Sequence, residues 1–255
     1  MNKSAISWTG RTWNPFRGCK PRSRGCADCY AMSQAHRINK QFLARGWAAP
    51  YDRLVKLVKG KPVWTGEVKV VKEKLVEPLG IKDGATIFVN SMSDLFYDGF
   101  KNEEIGAVFG VIAAASWHTF QVLTKREDCL VEWFTWVQAD AASRGVTPAQ
   151  LCFMYARQVA ASDPGATKVL NRAECIITAN KAAWPLPNVW IGVSVEDQKA
   201  ANLRMPMLVK VPAAVRFVSA EPLLELVDLS PWLADIGWVI GGCESGDNMQ
   251  SCDAA

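Results

Sequence analysis

The sequence predicts an α/β fold built on a parallel β-sheet that is covered on both faces, and three observations support this. Five short segments are almost continuously apolar and rich in Val, Ile and Phe, which is typical of strands buried on both sides. A helical pattern, in which Ile105, Val108, Phe109 and Ile112 recur, lies between the first two. Polar clusters follow each segment, as they do at the ligand-binding edge of parallel sheets. The predicted strands cover residues 86–92, 118–124, 188–195, 214–220 and 236–242.

The N-terminal part of the chain has mixed patterns. A helix is expected over residues 31–44, and a loop follows it. Residues 67–72 then alternate between apolar and charged side chains, like a half-exposed strand. No internal repeat or low-complexity tract divides the sequence, so we expect a single domain over residues 1–255.

The segment 127–187 departs from the rhythm of single helices between strands. It contains helical patterns at residues 129–142 and 149–161, and the sequence Trp184-Pro-Leu-Pro closes it. We interpret this segment as a helical insertion between two strands of the sheet.

The composition places the chain among ordinary globular proteins. With 255 residues, 49% hydrophobic and 21% charged, it can bury a substantial core. The net charge of +4 is compatible with nucleic-acid binding but is too small to indicate it. The sequence has no run of about 18 apolar residues and no apolar core of a signal peptide at its N-terminus. We therefore expect a cytoplasmic protein that does not enter a membrane.

Three cysteines, Cys19, Cys26 and Cys29, lie within eleven residues of a loop that contains Gly and Pro. Three thiols cannot all pair with one another, whereas three thiolates are suitable ligands for one soft metal centre. A cluster with four irons that is held by three cysteines leaves one iron free to bind another molecule. The other five cysteines are scattered, and we expect them to be small buried residues.

Polar residues follow each of the five predicted strands, at positions 90–94, 124–126, 194–196, 219–221 and 244–245. Because the carboxyl ends of parallel strands meet at one edge of a sheet, these side chains should form a polar pocket together with the cysteine loop. The candidate pocket residues are Ser91, Asp94, Lys125, Arg126, Ser194, Glu196, Glu221 and Glu244.

These residues also carry a resemblance to known families. The stretch Gly25-Cys-Ala-Asp-Cys-Tyr-Ala31 resembles the cluster loop of radical S-adenosylmethionine (SAM) enzymes, in which three cysteines hold a 4Fe–4S cluster. Over nearly the whole chain the sequence is similar to an uncharacterised phage and bacterial three-cysteine family. The motifs are Thr12-Trp-Asn-Pro, Phe88-Val-Asn-Ser-Met-Ser-Asp-Leu-Phe, Phe120-Gln-Val-Leu-Thr-Lys-Arg, Gly192-Val-Ser-Val-Glu, Glu221-Pro-Leu-Leu and Trp238-Val-Ile-Gly-Gly-Cys-Glu-Ser-Gly.

The layout further resembles the branch of radical SAM proteins that contains spore photoproduct lyase. In that branch a Thr-Asp element follows the second strand and a Thr-Lys element follows the third, and here Ser93-Asp94 and Thr124-Lys125 stand in those places. The fold that this resemblance implies is a partial, six-stranded (β/α) barrel of the TIM-like, radical SAM type, with the cluster at its open carboxyl end.

The resemblance implies an enzyme with two cofactors, a 4Fe–4S cluster and SAM. Cys19, Cys26 and Cys29 would bind three irons, and SAM would chelate the fourth and yield a 5′-deoxyadenosyl radical that abstracts hydrogen. Lys125 or Arg126 would bind the SAM carboxylate, Asp94 its ammonium group, and Ser194 or Glu196 its ribose. Ser91, Arg126, Glu221 and Glu244 would face the substrate. The implied partners are an electron donor such as flavodoxin or ferredoxin and a nucleic acid or nucleotide substrate.

Two departures from the pattern leave alternatives open. The cysteines are spaced C-x6-C-x2-C, whereas the usual loop is C-x3-C-x2-C, so zinc bound by the three cysteines and His36 is a second hypothesis. The protein would then bind nucleic acid, with phosphate contacts from Arg17, Lys20, Arg22 and Arg24. The sequence also stops soon after Gly242, where the resemblance would continue, so a truncated, inactive copy is a third reading.

Overall fold

The computed structural model describes residues 1–180 and 183–242. The strands are β1 (Asn2–Lys3), β2 (Arg11–Trp13), β3 (Phe16–Arg17), β4 (Val55–Val58), β5 (Lys61–Trp64), β6 (Lys69–Val70), β7 (Thr86–Val89), β8 (Thr119–Thr124), β9 (Val189–Ser194), β10 (Val215–Ala220) and β11 (Trp238–Gly241). The helices are α1 (Tyr30–Leu43), α2 (Lys72–Leu75), α3 (Asn102–Ala114), α4 (Glu127–Ser143), α5 (Pro148–Ala160), α6 (Pro164–Asn180) and α7 (Gln198–Leu208). None of these helices combines the length and the apolar character that a membrane crossing requires.

The main sheet has seven strands in the order β1-β2-β7-β8-β9-β10-β11. The short β1 is antiparallel to β2, and the other six strands are parallel. Each of these parallel strands pairs with the one that comes before it in the chain, so the described part of the sheet winds in one direction. The predicted α/β class is confirmed, and the arrangement is consistent with a partial α/β barrel.

All five predicted strands are present, as β7 to β11. In β8 the consecutive residues Phe120, Gln121 and Val122 are all fully buried. Since successive side chains of a strand point to opposite faces, the sheet is covered on both sides here, as its apolar sequence predicts. The sixth parallel strand, β2, was not predicted, because three residues are too few to show a period.

Three helices, α4, α5 and α6, lie between β8 and β9, where a regular barrel unit has one. The first two were predicted within two residues of their bounds, and α6 was not predicted. Helix α5 begins with a capping box in which Thr147 and Gln150 exchange hydrogen bonds. Helix α5 packs closely on α3 at Gly110, which has no side chain. Any larger residue at this position would collide with the Cys152 carbonyl.

The α1–hairpin module, residues 30–64, has a small hydrophobic core of its own. Helix α1 packs on the antiparallel hairpin β4–β5, and Met32, Tyr51, Leu54 and Trp64 are buried between them. This hairpin falls where the sequence predicted only a loop. The strand predicted over 67–72 is shorter than expected, because only β6 pairs, with β3.

Candidate functional site

A cavity of about 470 Å³ opens at the carboxyl ends of the parallel strands. Nine of the eleven predicted site residues line it: Cys19, Cys26, Cys29, Ser91, Asp94, Lys125, Arg126, Ser194 and Glu221. Of the other two, Glu196 is buried behind the wall of the cavity. Glu244 lies outside the described residues, as does the chain end where a truncation was predicted. The structure therefore brings the cysteine loop and four strand ends to one pocket.

Each cysteine is held by a different local structure. Cys19 follows Gly18, whose backbone has a positive φ of 89° and pairs with Ser93 beyond β7. A side chain at Gly18 would collide with the backbone oxygen of Glu67, so only glycine fits there. Cys26 ends a single 3-10 turn, and Cys29 is the N-cap of α1. The loop therefore needs Gly18 at its start and α1 at its end.

Burial governs the thiol pKa values. Burial, with a smaller contribution from the Asp94 charge, raises the pKa of Cys19 to about 12 against the opposing charge of Arg126. Burial also raises the pKa of Cys29, although the N–H groups of Ala31 and Met32 at the start of α1 donate hydrogen bonds that favour its thiolate. Metal binding would replace these thiol protons, since the thiolate is the form that binds metal.

The cysteine loop is fastened to the β8–α4 junction. The Arg22 guanidinium lies 3.2 Å from a Glu127 carboxylate oxygen and 2.7 Å from one of Asp128. In return, Arg126 Nη2 donates a 2.7 Å hydrogen bond to the Lys20 carbonyl. These contacts span more than a hundred residues of sequence, and they fix the loop against the residues that follow Lys125.

Asp94 joins two strand ends at the base of the pocket. Its Oδ1 accepts hydrogen bonds from the Thr124 hydroxyl at 2.7 Å and the Phe96 N–H at 3.1 Å, and its Oδ2 accepts one from the Lys125 N–H at 3.0 Å. The carboxylate therefore positions Lys125, in addition to any contact that it makes with a ligand.

Glu196 lies in the interior of the protein, behind the pocket wall. Arg204, from α7, donates to its carboxylate at 2.7 Å and 3.4 Å, and Lys125 Nζ lies 3.5 Å away on the pocket side. Burial alone would raise the pKa of Glu196, but the charges of Lys125 and Arg204 and hydrogen bonds from Ser23 and Arg204 lower it to about 2. The structure thus places Ser194 at the wall, and Glu196 orients Lys125 from behind it.

Glu221 is held by two neighbours that face the cavity. The Trp8 indole N–H and the Ser219 hydroxyl donate to its Oε2 at 3.2 Å and 3.0 Å. Trp8 also packs on Phe88 and forms part of the wall. Trp8 was not predicted from the sequence, because nothing local to residues 1–10 indicates that this segment turns toward the cavity.

Asn90 is a second pocket residue that the analysis did not single out, although it lies in a predicted polar cluster. It is 97% buried and lines the cavity, yet neither its side-chain oxygen nor its nitrogen has a hydrogen-bond partner in the described structure. Its backbone has a positive φ of 59°, which Asn tolerates better than most residues. A buried amide without partners costs free energy, so this side chain is suited to a polar ligand group.

The described ranges 1–180 and 183–242 contain no three His, Cys, Asp or Glu side chains grouped tightly enough to hold a single metal ion. This applies to the predicted set of Cys19, Cys26, Cys29 and His36. The arginines of the loop are also engaged within the protein: Arg17 donates to the Pro50 carbonyl, and Arg24 lies 3.7 Å from Asp197.

Of the scattered cysteines, Cys152 is fully buried, as predicted, and Cys129 is half-buried. The side chains of the other three, Cys175, Cys243 and Cys252, lie outside the described residues.

Comparison with known proteins gives one match. Neither the curated proteins nor the solved structures contain a protein that matches this chain. A family model described as protein of unknown function (DUF5131) matches residues 3–255, which is almost the whole length. That match includes the cysteine loop and every strand end around the cavity, and the chain therefore belongs to the DUF5131 family.

Proposed function

We propose that this protein is a radical SAM-type iron–sulfur enzyme that abstracts a hydrogen atom from a nucleic acid or nucleotide. One observation carries the proposal: three cysteines of a single loop line the same cavity as the polar ends of four parallel strands. Three thiolates leave a fourth iron corner open, and an open corner is useful only when a pocket adjoins it.

The donor set suits a cluster, because 4Fe–4S clusters are held by Cys thiolates. Cys19, Cys26 and Cys29 all line the cavity. A structural zinc site would be closed by a fourth protein ligand, and His36, the residue predicted for that place, is not part of the cavity lining.

The side chains around the cavity would bind the cofactors and orient them. The Lys125 ammonium reaches the wall and can bind a carboxylate, while Ser194 offers a hydroxyl beside it. Trp8 and Phe88 provide apolar surface that excludes water from the reacting groups. When bound, the cluster and SAM supply the radical chemistry by one-electron reductive cleavage of SAM to methionine and a 5′-deoxyadenosyl radical.

The electron would come from a small donor protein such as flavodoxin or ferredoxin, which implies a cytoplasmic location. A nucleic acid or nucleotide substrate is supported by the cations around the cavity. Lys20, Arg22, Lys125 and Arg126 all line it, together with the acidic Asp28, Asp94 and Glu221.

Anaerobic reconstitution with iron and sulfide tests the proposal. Iron, sulfide and zinc would be quantified, and optical and electron paramagnetic resonance spectra recorded with and without SAM. We expect about four irons per chain and a spectrum that SAM changes. Cys26→Ala should abolish the spectrum, whereas the control Cys129→Ala, outside the cavity, should keep it. One zinc per chain without a cluster would overturn the proposal.

A further inference from the structure

Positive charge is concentrated in one stretch of the chain. Residues 17–69 contain twelve of the 29 Lys and Arg but only three of the 25 Asp and Glu, which gives this stretch a charge of +9. The rest of the chain, with seventeen basic and twenty-two acidic residues, therefore carries −5. The modest total of +4 hides this asymmetry, and a local charge of this size attracts polyanions.

The α1–hairpin module carries several cations that are available to a partner. Lys40, Lys56 and Lys59 are exposed, and none of them forms an ion pair within the described part of the chain. Lys61 Nζ lies 3.9 Å from Asp28 Oδ1, and the Lys61 side chain is 72% exposed. By contrast, Arg22 of the cysteine loop is bound to acidic residues of α4. The module therefore presents several exposed cations that no acidic side chain of the described residues neutralises.

Large apolar side chains are exposed among these cations. Trp47 is 54% exposed just beyond the end of α1, and the Arg45 guanidinium lies 5.4 Å from its ring centre. Leu43 and Leu57 are exposed by 62% and 54%. An aromatic ring accompanied by an arginine in a basic surface is the arrangement on which unpaired bases stack.

The module is continuous with the cavity. Tyr30, the first residue of α1, and Trp64, the last residue of β5, both line the cavity. Helix α1, from Tyr30 to Leu43, covers about 20 Å at 1.5 Å per residue, and Trp47 lies just beyond its end. A strand with stacked bases, at the duplex spacing of about 3.4 Å per nucleotide, would span this length with roughly six nucleotides.

We propose that the α1–hairpin module binds single-stranded nucleic acid and leads it to the cavity. Phosphates would contact the lysines of the hairpin and of α1, and a base would stack on Trp47. Single strands are favoured over duplex because both the stacking on Trp47 and entry into a cavity of about 470 Å³ need a base outside a duplex. That the strand enters the cavity as substrate rests on the proposed function, whereas its binding to the module does not.

The first test is binding of a fluorescent oligonucleotide of about twelve thymidines, followed by anisotropy over a range of salt concentrations. The triple variant Lys56→Gln/Lys59→Gln/Lys61→Gln removes three cations of the hairpin. We expect affinity to fall roughly tenfold or more and the slope of log K against log salt to become shallower by about two, which is three contacts at about 0.7 each.

The matched control is Lys168→Gln/Lys199→Gln/Lys210→Gln, which removes the same charge from exposed sites elsewhere. It should leave the slope nearly unchanged. Trp47→Ala should weaken binding roughly fivefold or more, and Trp47→Phe should restore much of the loss because it keeps an aromatic face. Shorter oligonucleotides should bind more weakly below about six nucleotides.

Three results would overturn the proposal: no binding at low salt, equal losses in the two triple variants, or tighter binding of the corresponding duplex. Binding to vesicles that contain phosphatidylserine is measured in parallel. If the chain binds these vesicles through the hairpin lysines and ignores oligonucleotides, the surface is a membrane-binding one instead.

The two proposals fail separately, because anisotropy needs neither iron nor SAM. A chain that binds oligonucleotides but takes up no iron would refute the enzyme and leave the surface intact. A chain that forms a SAM-responsive cluster but binds no oligonucleotide would support the enzyme and refute the nucleic-acid-binding surface.

Discussion

Arg204 and Glu196 form a buried ion pair directly behind the pocket wall, with Arg204 Nη1 2.7 Å from Glu196 Oε2. Both side chains are at most 3% exposed, and Lys125, at the wall, approaches the same carboxylate to 3.5 Å. The ammonium that faces the cavity is thus oriented by a carboxylate that does not face it. The pair connects α7 to the candidate site, and it leads to the first two predictions.

Arg204→Ala should be strongly destabilising, because it leaves Glu196 buried with a partner removed. Breaking a buried pair in this way costs about 3–5 kcal/mol. Chemical denaturation would measure the free energy of unfolding. The control is Arg157→Ala, which breaks an equally short 2.7 Å pair with Glu174 on the surface and should cost less than about 1 kcal/mol. Similar losses in both variants would contradict this account of the pair.

The stability of the protein should depend on Glu196 at acidic pH. Its pKa is about 2 in the folded chain, below the ordinary value of 4.5, so the folded state favours the charged form. The resulting stabilisation is present above about pH 4.5 and is lost as the pH falls through 2. Denaturation at a series of pH values should show a smaller acid loss in Glu196→Gln than in the wild type. Glu132→Gln, on the surface, should keep the wild-type profile.

Removal of the Asn90 amide should impair ligand binding without loss of stability. Asn90→Gly is the appropriate change, because glycine accepts the positive φ of 59° and no hydrogen bond within the described protein is lost. We expect an unfolding free energy within about 1 kcal/mol of the wild type, since the entropy cost of glycine opposes the relief of a buried amide.

For the same variant, the affinity of the reconstituted protein for SAM or the oligonucleotide should fall by roughly tenfold, as calorimetry would show. If Asn90→Gly binds both as the wild type does, the amide contacts neither, and its burial would need another explanation.

Gly18→Ala should displace the cysteine loop. The position combines a φ of 89° with a collision between the new Cβ and the Glu67 backbone, which cannot move aside easily. We expect iron uptake to fall severalfold and stability to fall by more than about 1 kcal/mol. Gly46→Ala is the control, because its φ is also positive, at 72°, but its Cβ would meet open space. It should cost only about 1 kcal/mol and leave the iron content unchanged.

Much of the site could be predicted because parallel strands bring their carboxyl ends to one edge. Nine predicted residues, from Cys19 to Glu221, line a common cavity although they are spread over two hundred positions. The prediction was poorest where a residue lies beyond the end of a strand and its direction depends on a distant partner. Glu196 is the example, because Arg204 holds it in the interior and leaves Ser194 at the wall.

The sequence alone determined the α/β class, five of the six parallel strands and the helices α1, α3, α4 and α5, because their apolar periods are long enough to read locally. Tertiary structure decided the rest. The short β2 and the hairpin β4–β5 have little periodic signal, and they form because they pair with neighbouring strands. Helix α6 does carry a helical apolar pattern, with Val169, Leu170 and Ala173, but it was not predicted. The entry of Trp8 into the barrel and the left-handed backbone of Asn90 are likewise set by contacts with distant strands and turns, which leave no mark on the local pattern of residues.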